Sequence, residues 1–494
     1  MATKDGSITI SAPREGTAQS PHVGFAEVRN LDIYSVPGVA KLNNILVKKS
    51  STTVTAQVWW IVQNPALTSE YFALDANGVV YTSTDSGGTW SSLSDRGGTG
   101  QGLCIWEGYL FVAETTTIDV YGPLASSPAW TNDWKTIDSD ALWHPMVVSK
   151  NDGKLYGGAG RYVFSIEELT TFDPSSAPTY TFTQQALDLP ANYRIKCLAE
   201  LGNNLMCGTW QGTNVYDIRV ADIFPWDRSS VSFGQPVQLA EYGVHAMLNT
   251  GNSLVVLAGI NGTIFRCDGV NAYPIGQLPQ DLSGGKYLEF YPGSICNYKN
   301  KVFLGVGQGG STAIPSMGVY SLFQTGRGNI LNLEHTISTL SDGSTNPLKP
   351  TALLPVTRDT LLVGWRDNTS YGIDLTTATS YAYTTDYAGY VESPLYVVGS
   401  NQAKRPFSEI EFCLAKELAS GEGLKIEYRF NLTDSWTTVK NKDGGTLNLT
   451  FAALGAVTSH VFAADIPNCE MLQIRVSMLG SSTTTPQFKY LILR

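Results

Sequence analysis

Gly102-Leu-Cys-Ile-Trp-Glu-Gly-Tyr-Leu-Phe-Val-Ala113 holds an apolar run, a polar turn and a second apolar run that ends on a small residue. Short apolar runs bounded by turn residues read as paired strands. The same unit returns as Met146-Val-Val, the turn Asn151-Asp-Gly153 and Leu155-Tyr-Gly-Gly158. It returns again as Cys197-Leu-Ala with Leu205-Met-Cys-Gly208, and as Ala246-Met-Leu with Leu254-Val-Val-Leu257. The last two copies are Ile295-Cys with Val302-Phe-Leu-Gly305, and Leu353-Leu with Leu361-Leu-Val-Gly364. Second strands set at Leu110, Leu155, Leu205, Leu254, Val302 and Leu361 lie 45, 50, 49, 48 and 59 residues apart. An earlier copy fits at Tyr71-Phe-Ala-Leu74, 39 residues before Leu110.

A third strand follows each pair. A β-branched residue precedes an aromatic one at Val80-Tyr81, Val120-Tyr121, Val163-Phe164, Val215-Tyr216, Ile264-Phe265 and Val319-Tyr320, while the seventh copy offers Tyr371-Gly-Ile373. Short strands repeating at this period predict an all-β fold, a β-propeller of seven blades, with six to eight compatible with the spacing. A β-helix needs a shorter period, and a chain of sandwich domains a longer one.

Outside the repeat, residues 1–50 contain Gly24-Phe-Ala-Glu-Val-Arg-Asn-Leu-Asp-Ile-Tyr-Ser-Val-Pro-Gly-Val-Ala40. This segment is either an arm that binds a partner or part of a blade that closes the ring. The propeller is assigned to residues 51–395. After it come period-two segments, among them Ser408-Glu-Ile-Glu-Phe-Cys-Leu414, Leu424-Lys-Ile-Glu-Tyr-Arg429, Met471-Leu-Gln-Ile-Arg-Val476 and Phe488-Lys-Tyr-Leu-Ile-Leu493. Such alternation marks half-buried antiparallel strands, so residues 396–494 are assigned to a C-terminal β-sandwich.

Composition fits this reading. Among 494 residues, 43% are hydrophobic and 15% charged, enough apolar content to fill several cores. The net charge of −10 repels a phosphate backbone, which argues against gripping DNA but suits a wall that DNA slides past. No run approaches the roughly 20 apolar residues of a membrane-spanning helix. Met1 to Gly24 lacks the apolar core of a signal peptide, so synthesis in the cytoplasm is expected. Seven scattered cysteines without a CxxC pair read as buried free thiols, not as a disulfide framework or a zinc site.

The Gly24–Gly38 segment resembles the openings of tailed-bacteriophage virion proteins. The C-terminal Leu424–Arg429, Trp436, Cys469-Glu-Met-Leu-Gln-Ile-Arg475 and Pro486 resemble the terminal sandwich of such proteins. The middle is similar to the propeller of nozzle proteins in short-tailed phages. This resemblance implies a non-enzymatic structural protein of the virion tail, synthesised in the host cytoplasm. It further implies a cyclic homo-oligomer, six-fold, around the DNA exit channel, in contact with other tail proteins and with DNA passing without tight binding. No catalytic residues carry over from it.

Ser83-Thr-Asp85-Ser-Gly87-Gly-Thr-Trp90 matches the Asp-box pattern and resembles peripheral hairpins of sialidases and other propellers. Its chemistry is structural: the Asp85 carboxylate accepts turn N–H groups, Gly87 permits the bend and Trp90 packs beneath. Arg161, Arg194, Arg266 and Arg366 fall in different units, so a sialidase-like carboxylate site is conceivable but less favoured than separate surface pairing. Trp130, Trp134 and Trp143 are the residues that would form a glycan-binding face, with burial between blades as the competing role. The histidines His22, His144, His245, His335 and His460 show no metal spacing or triad, and each reads as a packing residue. Neither a metal nor a cofactor is expected. Gly305-Val-Gly-Gln-Gly-Gly310 lacks a following helix, so turn glycines explain it better than a phosphate loop. The readings to be separated are a tail structural subunit, a glycan- or receptor-binding adhesin and, less favoured, a propeller glycosidase.

Overall fold

The computed structural model describes residues 7–11, 26–36, 38–49, 54–138, 143–168, 180–210, 221–278, 287–309, 317–325, 328–336, 348–367, 370–377, 380–383, 387–399 and 404–494. The chain divides into two units, one of Val47–Gly318 with Thr345–Leu375 and one of Met1–Leu46, Val319–Ser344 and Thr376–Arg494.

The first unit is an all-β propeller with six four-stranded antiparallel sheets. Its first blade is Val58–Gln63, Tyr71–Asp75, Val79–Ser83 and Ser91–Asp95. The second is Gly102–Trp106, Tyr109–Ala113, Thr117–Gly122 and Ala129–Thr136. The third is Met146–Val148, Leu155–Ala159, Tyr162–Glu168 and Tyr180–Asp188. The fourth is Arg194–Leu201, Asn204–Trp210, Ala221–Trp226 and Val237–Leu239. The fifth is Val244–Asn249, Leu254–Ala258, Thr263–Cys267 and Ala272–Gln277. The closing blade takes Leu348–Pro355, Leu361–Asp367 and Ser370–Thr376 from late in the chain and Leu46–Lys48 from its beginning.

Second strands read as unbroken apolar runs because both their faces are buried. In the second blade, Leu110 and Val112 point toward the first blade, joining Phe72, Leu74 and Val80. The alternate residues Phe111 and Ala113 point the other way, onto Leu155, Phe164 and Ile166 of the third blade. The same exchange joins the third and fourth blades through Tyr156, Leu205 and Phe224. It joins the closing and first blades through Leu362, Ile373, Tyr71 and Tyr81. Each blade therefore completes its neighbour's core, which is why one copy cannot stand alone.

Between the fifth and closing blades, Tyr287–Glu289 and Ile295–Tyr298 both pair with Lys301–Gly309. Six separate four-stranded sheets are one fewer than the seven blades expected, and within the six to eight that the spacing allows. The strands of the sixth copy do not stand as a separate sheet: the strand order runs Tyr287–Glu289, Lys301–Gly309, Gly318–Thr325 (which holds Val319-Tyr320), Gly328–His335 and on to Glu27–Arg29. Gly328–His335 runs parallel beside Glu27–Arg29, with Arg29 opposite Leu333. The expected third strand of the fourth copy, Val215-Tyr216, lies outside the described residues; the third strand found there is Ala221–Trp226, with Ile223-Phe224 in the same β-branched and aromatic order.

The second unit is not a C-terminal segment alone, so the 396–494 boundary is corrected. One of its sheets runs in the order Leu31–Asp32, Ala40–Leu42, Gln487–Leu493, Arg405–Leu414, Ser459–Cys469 and Lys440–Asn441, with Ile8–Ser11 also on Gln487–Leu493. A second run orders Glu27–Arg29, Gly389–Glu392, Met471–Leu479 and Gly423–Arg429. Ile8, Ile10, Leu31 and Leu42 from the beginning of the chain share one apolar core with Phe412, Ile474 and Leu491 from its end. The 1–50 segment, expected as an arm or as part of a closing blade, is divided: Leu46–Lys48 closes a blade, and Ile8, Ile10, Leu31 and Leu42 belong to this second core.

Candidate functional site

The first strands of the propeller succeed one another around an axis: Val58–Gln63, Gly102–Trp106, Met146–Val148, Arg194–Leu201, Val244–Asn249, Ile295–Tyr298, Leu348–Pro355 and back to Val58–Gln63. Close approach of these strands needs small residues. A Cβ on Gly102 would collide with the backbone carbonyl of His144, and with glycine there the His144 amide donates to the Gln101 carbonyl at 3.0 Å.

Polar and aromatic side chains from successive units converge at this axis. Lys196 is the centre of the group. It is only 7% exposed, and its Nζ donates to His245 Nδ1 at 2.7 Å and to the Phe290 carbonyl at 3.4 Å. Its ammonium lies 5.4 Å from the Trp143 ring and 5.7 Å from the Trp210 ring, a cation–π cage. Trp143 packs on Trp59 with ring centroids 4.3 Å apart and on Tyr291 at 6.1 Å. Tyr291 donates its hydroxyl to Glu289 Oε2 at 2.6 Å, and Lys349 Nζ pairs with the same oxygen at 2.6 Å. Arg366 reaches Gln57 Oε1 at 3.5 Å.

Electrostatics set the protonation states. Burial pushes the Lys196 amine down to about 8. Burial and the neighbouring Lys196 hold His245 well below the ordinary histidine value, so its imidazole is neutral and Nδ1 accepts. Burial likewise lowers His144, whose Nδ1 donates to the Gly158 carbonyl at 2.9 Å. Burial works against charge on Glu289, but Lys349 outweighs it and keeps the carboxyl below its usual range. Such a group can hold an anion or a flat apolar surface; the described residues contain no cluster able to ligate a metal ion.

The Asp-box residues come together at the rim, between the third and fourth strands of the first blade. Asp85 Oδ1 accepts the Thr89 amide and the Ser83 hydroxyl, both at 2.8 Å, while Oδ2 accepts the Thr89 hydroxyl at 2.8 Å. Burial raises the Asp85 pKa, yet these donors win and leave it below the ordinary value. Ser83 Oγ accepts the Gly87 amide at 3.0 Å, and buried Trp90 donates Nε1 to the Gly87 carbonyl at 3.2 Å. Carboxylate-capped turns recur at the same place in two more blades. Asp227 accepts the Ser229 and Ser230 amides at 2.9 and 3.0 Å, and Asp268 those of Val270 and Asn271 at 2.9 and 2.7 Å.

The three candidate glycan-binding tryptophans do not form one face. Trp130 packs on Tyr121 at 4.8 Å beneath Arg96. Trp134 packs on Tyr180 of the neighbouring blade at 4.7 Å, and buried Trp143 belongs to the axis. Of the four arginines, Arg161 pairs with Asp188 at 3.0 Å, Arg194 stands opposite Trp210 in the fourth blade, Arg266 donates to Ser253 at 2.9 Å, and Arg366 adjoins the axial group. All seven cysteines are free thiols. His22 and Gly310 lie outside the described residues.

No family model matches this sequence, and no curated protein matches it. Solved structures are similar to it at low identity. The structure described as YCF48 bound to D1 peptide is 13% identical, with a TM-score of 0.46, covering 72% of this chain and 100% of that one. The extracellular domain of the putative one component system BT4673 from B. thetaiotaomicron is 13% identical at a TM-score of 0.43, covering 80% of this chain and 47% of that one. The computationally designed Ika8 protein is 14% identical at a TM-score of 0.38, covering 67% of this chain and 99% of that one.

Proposed function

We propose that this chain is a non-enzymatic structural subunit of a tailed-bacteriophage particle, nozzle-like and six-fold in a closed ring, located in the virion tail. The observation that carries the reading is the double stitching of the chain. Ile8–Ser11 pairs residue for residue with the C-terminal strand, Ile8 opposite Leu493 and Ser11 opposite Tyr490. Leu46–Lys48 closes the last blade. Pairing of early strands with late ones ties distant parts of the chain together, as a subunit under load needs. The resemblance of the Gly24–Gly38 segment and the net charge of −10 support the same reading.

Two finer points of architecture belong to this proposal. The three strands around Lys301–Gly309 are the inner part of a seventh blade, because Ile295–Tyr298 takes its turn in the ring of first strands. The two strand runs of the second unit form a sandwich around their shared core. In the assembly, one patch of a subunit meets a different patch on the next, and other tail proteins cap the ring. DNA passes through the ring and not through the propeller axis, where tryptophan and lysine side chains crowd together.

A second reading, a tail adhesin that binds host glycan or another receptor, is favoured by the aromatic and cationic character of the axis. Mass measurement of the purified protein and imaging of purified virions test the first reading. A closed ring located in the tail is expected. A free monomer absent from virions overturns it.

A further inference from the structure

We propose that the propeller axis is a binding site for a small organic carboxylate carrying a flat or apolar face, with Lys196 as the anion-binding group and Trp59, Trp143 and Tyr291 as the stacking surface. The proposal does not depend on the chain being a particle subunit.

Charge is the first observation. The chain as a whole is acidic, at −10, yet Lys196, Lys349 and Arg366 gather at the axis with the carboxylate of Glu289. Glu289 is already engaged by Lys349 and by the Tyr291 hydroxyl. Lys196 makes no ion pair among the described residues; its Nζ is held by a neutral imidazole, a carbonyl and two ring faces. A buried cation without a counter-charge is costly, and a ligand carboxylate would supply the missing charge.

The second observation is a buried donor. The Trp59 indole Nε1 is shielded from solvent and has no acceptor among the described residues. Buried indole N–H groups are normally paired, so an acceptor oxygen is missing on the same side as the Trp59–Trp143 stack. The third is shape. Trp59 and Tyr291 are partly exposed, whereas Trp143, which packs on both, is buried, so an apolar ring surface adjoins the ammonium. One carboxylate oxygen at Lys196, a second acceptor at Trp59 and a flat body on the rings satisfy all three features. A carboxylated sugar and an aromatic acid share this chemistry.

The test titrates the full chain with sodium glucuronate, sodium benzoate and glucose, following tryptophan fluorescence and heat. Saturable binding of at least one of the two carboxylates is expected, with none for glucose, and whichever binds tighter identifies a sugar or an aromatic body. Lys196→Met should weaken that binding at least tenfold with an unchanged circular dichroism spectrum, and Trp59→Phe should weaken it by a smaller factor. Absence of saturable carboxylate binding, equal binding of glucose, or undiminished affinity in both variants overturns the proposal.

Discussion

Replacing Lys196 by methionine should stabilise the propeller at neutral pH. An ordinary lysine titrates at 10.5, whereas burial brings Lys196 down to about 8, a difference worth about 3 kcal/mol against the folded state when the amine is charged. The cage of Trp143 and Trp210 and the hydrogen bond to His245 return part of this, about 1–2 kcal/mol. Methionine fills a similar volume without charge, so a net gain of about 1–2 kcal/mol is expected. Between the folded and unfolded values the unfolded chain keeps the proton that the folded chain has released, so the Lys196 contribution to stability rises with pH there. The advantage of the variant should therefore shrink by about 1 kcal/mol between about pH 7.5 and about pH 9. Buried thiols pull the other way: burial raises Cys104 and Cys207 from 9.0 to about 12, so their contribution is lost as pH rises past the unfolded value. Both proteins share those thiols, so the difference between them isolates Lys196. Urea unfolding followed by tryptophan fluorescence at the two pH values measures it. A variant less stable than the parent at neutral pH, or a difference that does not move with pH, would refute the reasoning.

At the rim, Asp85→Ala should cost about 1 kcal/mol, because its hydrogen bonds are made at an exposed turn where water can replace them. Gly87→Ala should cost more, about 2–4 kcal/mol, since φ is +82° and the new Cβ would lie 2.7 Å from Leu362 Cδ2 of the closing blade. Thermal unfolding ranks the two, and the reverse order would count against the hairpin as an inter-blade packing element. Ile10→Ala should cost about 2–4 kcal/mol by removing a buried side chain from the second core, measured by urea unfolding. In a native thiol titration Cys413, partly exposed, should react before buried Cys197, Cys207 and Cys296, which should appear only on denaturation.

The repeat was legible because its second strands are buried on both faces and carry an unbroken apolar signal: Leu110-Phe-Val-Ala113 faces two neighbouring blades at once. Outer strands gave little signal, since Ser91–Asp95 and Ala272–Gln277 are largely solvent-facing and nothing forces apolar alternation on them. The division of residues 1–50 and the extension of the sheet from Gly328–His335 to Glu27–Arg29 depend on pairing partners hundreds of residues away, which local pattern cannot encode. The axial group escaped because its members are single polar residues in separate units. One signal was present: Gln57, Gln101, His144, Lys196 and His245 each stand just before or at the start of a first strand. Aligned on the repeat they form a polar column at the axis, whereas each histidine taken alone reads as packing. Trp143 was singled out with Trp130 and Trp134 by nearness in sequence, although the chain turns inward only at the third.

The axis also constrains how a nozzle-like ring could work. Lys196, Lys349 and Arg366 would attract phosphate if they lined the DNA path, and each phosphate contact adds to a salt-dependent grip. A wall past which DNA slides needs the opposite character, which the chain has in its overall charge of −10. The two features are compatible only if the propeller axis opens away from the lumen. The expected outcome is weak DNA binding by the isolated protein, with little salt dependence and no change in Lys196→Met. Fluorescence anisotropy with labelled duplex DNA at several salt concentrations measures it. Tight binding with a steep salt slope that Lys196→Met reduces would place DNA at the axis and overturn the passive-channel reading.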